Sequence, residues 1–529
     1  MTGRAPGLLG AFGVLTVAAG LVTGATVLPS IQRASTSVAE PVPISQSAPT
    51  LVCPGPETLL VPEGGADVDP GGSVLISALV GSDTEATAAR LELSGESSDR
   101  AVAAGRTLPS SLTSASVAVT RGRRLELSTT STGPAVGALA VTSLGPALLR
   151  TTTATDPPAS LAAVQSTLAR SGDLRALTAT TCTVPASDSW LVGGSTDDGS
   201  RLRLLLANPA STAAVVDIDV RGPQGRVRAA SGEGVVVPPD SEVPIFIDAL
   251  TPGLKQLAVH VTTRSGRVRA TLHDSRLLGL APAGADDVPV AAPAAKQQMV
   301  PGISLVNGYG TTADDPSAPG STAVRIAVPG AEEAVVRVRL LDAGGAVELP
   351  RAAVVSVPAG GVVDVPVSGI PSGTYTAVVD SDVPVVAGAL IGRGGVPGMA
   401  PATEFAWAGA ARPLVGSGYV VLPPGARSTL SLVAPAGTGR LVVREVRRDG
   451  SIGKPVDVEV REDSSATVQL AADAVAVRID GVDGGPVGAS LVSWVTDPRG
   501  SLISVVSVDL PAMSTPPTSA IHDRTLGLR

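Results

Sequence analysis

Thirteen positions between Leu204 and Ile247 recur 120 residues downstream without a gap, and this internal repeat constrains the fold more than any other feature. Leu204, Leu206, Pro209, Val215, Val216, Ile218, Val220, Gly225, Val237, Pro238, Val243, Ile245 and Ile247 answer to Val324, Ile326, Pro329, Val335, Val336, Val338, Leu340, Gly345, Val357, Pro358, Val363, Val365 and Val367. After a three-residue shortening, Val268, Ala270 and Arg276 match Val385, Ala387 and Arg393. A fainter copy opens with Leu430, Leu432, Pro435, Leu441, Val442 and Gly450 and closes with Val487 and Ala489. The most divergent copy keeps residues 52–55 at its start and 134–138 near its finish.

Within each copy, short apolar runs alternate at period two and are broken by Gly, Pro, Asp or Ser, the pattern of strands with one buried face. About seven such runs in roughly 100 residues is the rhythm of an immunoglobulin-like β-sandwich, with a β-propeller as the alternative. Composition agrees. Hydrophobic residues make up 44% but aromatics only 2%, so the cores are aliphatic, and 60 Gly with 45 Pro supply frequent turns.

The first 33 residues carry a different signal. Between Arg4 and Arg33 lie 28 uncharged residues, enough to span a bilayer as a helix or to act as a signal. Either one sends the remainder across the membrane. The two cysteines, Cys53 and Cys182, are expected to form one disulfide in that compartment. Asp156 as N-cap, with Leu161, Val164 and Leu168 on one face and Gly172 after the end, predicts a helix over 157–170. The expected organisation is an anchor or uncleaved signal (1–33), a spacer (34–49), β-module 1 (50–145), a helical insert and linker (146–186), β-modules at 187–297, 298–407 and 408–511, and a flexible tail (512–529).

The stretch Ser189-Trp190-Leu191-Val192-Gly193-Gly194-Ser195-Thr196, the Leu-Leu-Leu-Ala-Asn-Pro run from Leu204 to Pro209, and the Val-rich strand ending Gly222-Pro223-Gln224-Gly225 resemble domain of unknown function 5719, an uncharacterised exported actinobacterial family. Leu272-His273-Asp274-Ser275-Arg276 and Gly279-Leu280-Ala281-Pro282-Ala283-Gly284 are similar to it as well. Copies three and four depart from it, with Val328 and Ala434 in the place of Asn208. The resemblance implies export and envelope location, and it supplies no catalytic residues.

Chemistry is sparse. A net charge of −8 excludes the clustered positive field that nucleic acid requires, and three each of Trp, Tyr and Phe leave little for base stacking. The histidines are His260, His273 and His522, and no Ser sits in a Gly-x-Ser-x-Gly elbow. His260 and His273 lie on strands that a hairpin could bring together as a two-histidine metal site, although neither is repeated in the neighbouring copy. Asp197-Asp198, Asp286-Asp287, Asp314-Asp315 and the Asp480 to Asp483 run read as exposed turn aspartates, with calcium at module junctions as the sharper idea. Trp190 and Trp407 stand near the starts of units, as wedges at an interface between modules.

The expectation is therefore an all-β, non-catalytic extracytoplasmic cell-envelope protein without cofactor, single-pass in the membrane through its N-terminal helix, with its bulk extracellular. It would act as a scaffold for envelope proteins. The alternatives are a cell-wall glycan-binding protein and a cryptic hydrolase at His260 and His273. The divergent first copy is where specialised function is expected.

Overall fold

The computed structural model describes residues 50–57, 72–82, 86–94, 119–120, 123–129, 133–141, 145–152, 159–227, 230–306, 320–349, 354–394 and 403–510, with the pairs 42–43 and 519–520. The expected N-terminal helix lies outside the described residues, and among those described no helix is long and apolar enough to cross a membrane. Two compact units result. In one, Met1–Gln46 with Thr515–Arg529, Val42 and Pro43 pair antiparallel with Ala520 and Ser519. The other, Ser47–Ser514, contains everything that follows.

That unit is almost entirely antiparallel β-structure, and one strand order recurs along it four times. It is clearest in the second copy, whose eight strand positions are Asp188–Leu191, Ser200–Asn208, Ala214–Gly222, the split Gly225–Val227 and Val235–Val237, Ser241–Phe246, Ala258–Ser265, Arg269–Leu278 and Ala281–Val288. One sheet has the order first-sixth-third-fourth and the other fifth-second-seventh-eighth. Alternate residues of both sheets, such as Leu204, Leu206, Val216, Ile218, Val259, Val261, Ala270 and Leu272, meet in a single core. The third copy repeats this from Ala295–Leu305 to Glu404–Gly409, and there the single run Gly373–Arg393 serves as both sixth and seventh strand, crossing from one sheet to the other. The fourth repeats it from Gly418–Val421 to Leu502–Ser507.

Three expectations change here. The first copy is as complete as the others, because residues 157–170 do not form a helix: Ser160–Ala169 is a ten-residue strand paired with both Gly72–Gly81 and Ala176–Thr181. Its apolar residues follow neither a helical stripe nor simple alternation, because both faces are covered. Leu161 and Ala163 enter the core of the first unit, while Val164 and Leu168 pack against residues of the fourth. A strand buried on both sides reads like a short buried helix. The expected helical insert, 146–186, is thus the sixth to eighth strands of the first unit, and 134–138 belong to its fifth strand, Ala135–Ala140.

Strand order is the second change. In the immunoglobulin arrangement the first strand lies beside the second, whereas here it lies beside the sixth in every unit. Propeller blades are consecutive meanders, and these sheets draw their strands out of sequence order.

The third concerns the linear row of modules. The eighth strands of units one and two, two and three, three and four, and four and one pack together, so the units close into a ring. At two of the seams the first strand of one unit lies on the outer face of the next unit's second sheet. Ala295–Leu305 packs on Arg427–Ala434 and Gly488–Val495, and Gly418–Val421 packs on Gly72–Gly81 and Ser160–Ala169. Trp190 and Val192 join the core of the third unit. A head-to-tail contact that closes after a few copies makes a ring, and here the copies are fused in one chain.

Close approach at these seams depends on glycine. At Gly302, φ is +89° and a Cβ would fall 2.3 Å from Ser490 Oγ of the fourth unit. Gly302→Ala is expected to lower stability by roughly 1–3 kcal/mol in urea denaturation. Gly481→Ala should cost less, since its φ of +59° is strained but nothing lies within 4 Å of the added carbon.

Candidate functional site

In the seam between the first and second units a charged row crosses the covered face of the sheet, where the third and fourth units carry apolar residues at its His273 and Asp287 positions. Ladder registers make the comparison residue by residue. His273 and Asp287, opposite one another in the second unit, stand where the third has Leu390 and Trp407 and the fourth has Val492 and Val505. On the neighbouring strand Arg203 lies opposite His273, which completes the row Arg203–His273–Asp287 across the outer face of the sheet. Arg269 and Thr271 share that face, since intervening residues Ala270 and Leu272 enter the core.

The first unit covers this row. Gly55, just past Cys53, donates its amide to Glu242 Oε2 at 2.9 Å. Arg269 Nη2 donates to the Thr181 carbonyl at 2.8 Å. The Thr180 hydroxyl donates to one oxygen of Asp287, and His273 Nδ1 bonds the other. The Cys53–Cys182 disulfide, which is formed, ties the two ends of this cover together.

Burial and charge determine the protonation of the cluster. Burial opposes a charge on His273, but Asp287 beside it outweighs this and raises its pKa. Asp287 is also desolvated, yet His273, Thr180 and Arg269 hold its carboxyl below the usual range. Glu57 and Glu242 are pushed up by burial, opposed by His273 and Arg203. Burial lowers the Arg269 guanidinium to about 10, against the pull of Asp287 and Glu242. His273 Nε2 has no hydrogen-bond partner.

Closer to the ring axis the eighth strands bring two carboxyls together. Asp286 accepts from the Trp407 amide at 2.8 Å and from Ser504 Oγ at 3.1 Å, joining units two, three and four. Burial raises its pKa well above the ordinary value, and the Asp287 charge adds to this. Glu404 is raised in the same way by burial, with Arg175 opposing and Asp286 reinforcing. Both carboxyls therefore keep their protons to higher pH in the fold than in the unfolded chain. A carboxyl whose folded pKa is raised binds its proton more tightly than the unfolded chain does. Folding is then unpenalised at low pH and loses stability as pH rises above the unfolded value near 4. Glu404→Gln should leave stability unchanged at pH 3.5 and raise it at pH 7.5, a difference that denaturation midpoints at the two pH values would measure.

The structure separates other residues singled out in the sequence. His260 and His273 lie on strands of opposite sheets and do not form a paired site, because residues 258–265 and 269–278 turn between sheets instead of pairing as a hairpin. His260 stacks on Trp190 with ring centroids 4.0 Å apart and bonds Asp188 at 3.2 Å. Among the described residues no cluster of His, Cys, Asp or Glu is arranged to hold a metal ion. Asp286 and Asp287 are buried strand residues and not exposed turn aspartates, whereas Asp197 is a half-buried partner of Lys255 and Asp480 pairs with Arg444 and Arg478. Asp314, Asp315 and His522 lie outside the described residues.

Trp190 and Trp407 both lie at the seam between units two and three, Trp190 in the core of the third and Trp407 in that of the second. Trp407 is fully buried, packs with the core of the second unit, and donates Nε1–H to Asp274 at 3.0 Å. Arg325, also buried, locks this seam by pairing with Asp364 and donating to the carbonyls of Gly194, Lys255 and Leu257 across it.

No curated protein matches the chain. Among solved structures, Thermotoga maritima 1070 is 19% identical, with 22% of this chain and 92% of that one aligned at a TM-score of 0.17. The BSP domain of a biofilm associated protein is 9% identical over 92% of this chain and 100% of its own, at a TM-score of 0.11. Neither likeness is close enough to support an argument. The profile of DUF5719, a family of unknown function, matches residues 136–471, which takes in the whole of the second and third units with the charged face just described, and the chain belongs to that family.

Proposed function

We propose that this protein is a non-catalytic scaffold of the cell envelope, anchored single-pass through residues 1–33 and exposing four immunoglobulin-like modules outside the membrane. The modules are immunoglobulin-like in their two-sheet architecture, but the first strand lies beside the sixth and the seventh beside the second. The observation that carries this reading is the closed ring. Four fused units that bury their joints against one another make a rigid platform, and rigidity lowers the entropic cost of binding a partner. Export is supported by the Cys53–Cys182 bridge, since structural disulfides persist in oxidising compartments.

Sugar recognition has less support, because Trp190 and Trp407 are buried and offer no ring face to a glycan. A hydrolase at His260 and His273 would need groups that lie in separate sheets.

Mild crosslinking of intact cells followed by purification of the full chain tests the scaffold. Wild-type protein should yield a reproducible set of envelope proteins, and Trp407→Ala, which loosens the seam between the second and third units, should recover fewer of them. Identical recovery from both, or none from either, would refute the reading.

A further inference from the structure

Among the described residues, apolar cores merge across three joints of the ring, and the joint between the first and second units differs. The core of the third unit takes in Trp190, Val192 and Ala258 of the second and Val492, Ile503 and Val505 of the fourth. That of the fourth takes in Leu79, Ala138, Val164 and Ala179 of the first. The apolar cluster shared by the first and second units is limited to Leu174, Ala176 and Ala285. Polar contacts span the same joint, with Gly55 on Glu242, Thr180 on Asp287 and Arg269 on the Thr181 carbonyl.

His273 is buried at the centre of these contacts. Asp287 and Arg203 flank it on the neighbouring strands, Arg269 shares its own strand, and Glu242 and Glu57 are the other charged groups facing it. Ala176–Thr181, packed over the row, brings hydroxyls and no titratable side chain. Without the imidazolium charge, Arg203 and Arg269 would face the carboxyls of Asp287, Glu57 and Glu242 unaided, and uncompensated buried charge is costly. Burial opposes the charge on His273, but Asp287 outweighs it, so the folded protein holds this proton above the ordinary 6.5. Burial likewise raises Glu57 and Glu242 above 4.5. All three protons are held more tightly in the closed joint than in the unfolded chain. Their contribution is therefore lost as pH rises from about 4.5 through the folded value of His273. Asp287 has the opposite sign, since its carboxyl is held below 3.8 despite burial, and its contribution is lost only in stronger acid.

We infer that the joint between the first and second units is a proton-operated clasp, in which protonated His273 keeps residues 53–57 and 176–181 seated on the second unit and loss of its proton releases them while the rest of the ring stays closed. A buried histidine at an interface is a switch in the neutral pH range when the joint it holds has little else to hold it. The Cys53–Cys182 bridge makes the released cover move as one piece.

Hydrogen exchange of the full chain at pH 5.5 and pH 8.5, corrected for the intrinsic rate, tests the clasp. Protection at Gly55 and Ala176–Thr181 should fall with rising pH by at least about tenfold more than at Trp190–Val192, the equivalent of one unit of pKa difference between closed and open joints. His273→Gln should exchange at these positions at pH 5.5 as fast as wild type does at pH 8.5. Glu404→Gln, which removes a titrating carboxyl near the ring axis and leaves His273 in place, should keep the wild-type difference; it and the wild type decide the matter if His273→Gln fails to fold. Equal loss of protection at both joints, no loss at Ala176–Thr181, an undiminished difference in folded His273→Gln, or its disappearance in Glu404→Gln would each overturn the assignment.

Discussion

Trp407→Ala is expected to destabilise the protein by about 3–5 kcal/mol, the range for removing a large buried aromatic side chain. Trp407 is fully buried and belongs to the eighth strand of the third unit, yet packs with Leu204, Leu272 and Val288 in the core of the second. Truncation therefore opens a cavity between units. It also removes the indole donor from Asp274 and the ring beneath Arg325, whose guanidinium carbon lies 4.9 Å from the ring centroid. Trp407→Phe separates the two effects by retaining much of the volume without the N–H, and a loss of about 1–3 kcal/mol is expected for that variant. Urea denaturation measures both, and hydrogen exchange should show the added opening at Trp190–Val192 and Arg325 before distant strands of the fourth unit. Equal protection across all units would mean that the seam does not carry the loss.

Loss of the disulfide is expected to cost a similar amount by another route. Cys53 and Cys182 are 129 residues apart, and closing a loop of that length restricts the unfolded chain by about 5 kcal/mol in the chain-entropy model. Cys53→Ser with Cys182→Ser should lower the denaturation midpoint accordingly. The effect should also be local. Residues 54–57, tied down next to Cys53, carry the Gly55 amide and Glu57 onto the charged row, and Thr180 and Thr181 precede Cys182 in the same cover. Freed of the bridge, this cover should exchange its amides faster than the third and fourth units do. Uniform loss of protection would place the contribution of the bridge in global stability alone.

Much of the architecture was legible because the repeat is periodic in apolar residues. The gapless 120-residue correspondence between Leu204 to Ile247 and Val324 to Val367 is reproduced by the ladders, in which Leu206 faces Val243 and Ile326 faces Val363. The first copy was harder to read because its seventh strand is covered on both faces, which removes the alternation that marks a half-buried strand. Strand order was not legible either. Alternation reports which residues turn inward but not which strand lies beside which, so the transfer of the first strand to the sixth left no trace in the pattern.

The charged seam did leave a trace. Arg203, His273 and Asp287 occupy positions where the third copy has Ala323, Leu390 and Trp407, and an unrepeated charge inside an apolar repeat marks a place where the environment differs. What that environment is could not be read from one unit, because its cover comes from residues near Cys53 and Cys182.

By itself, then, the sequence determined that the chain folds as repeated, aliphatic, antiparallel β-units with one disulfide, since these follow from local periodicity and a pair of cysteines. Only the tertiary structure decided that the units close into a ring and that Asp286 and Asp287 are buried instead of solvated. Ring closure depends on contacts between residues hundreds of positions apart, such as Ser504 with Asp286, and no local pattern encodes the angle at which one unit meets the next.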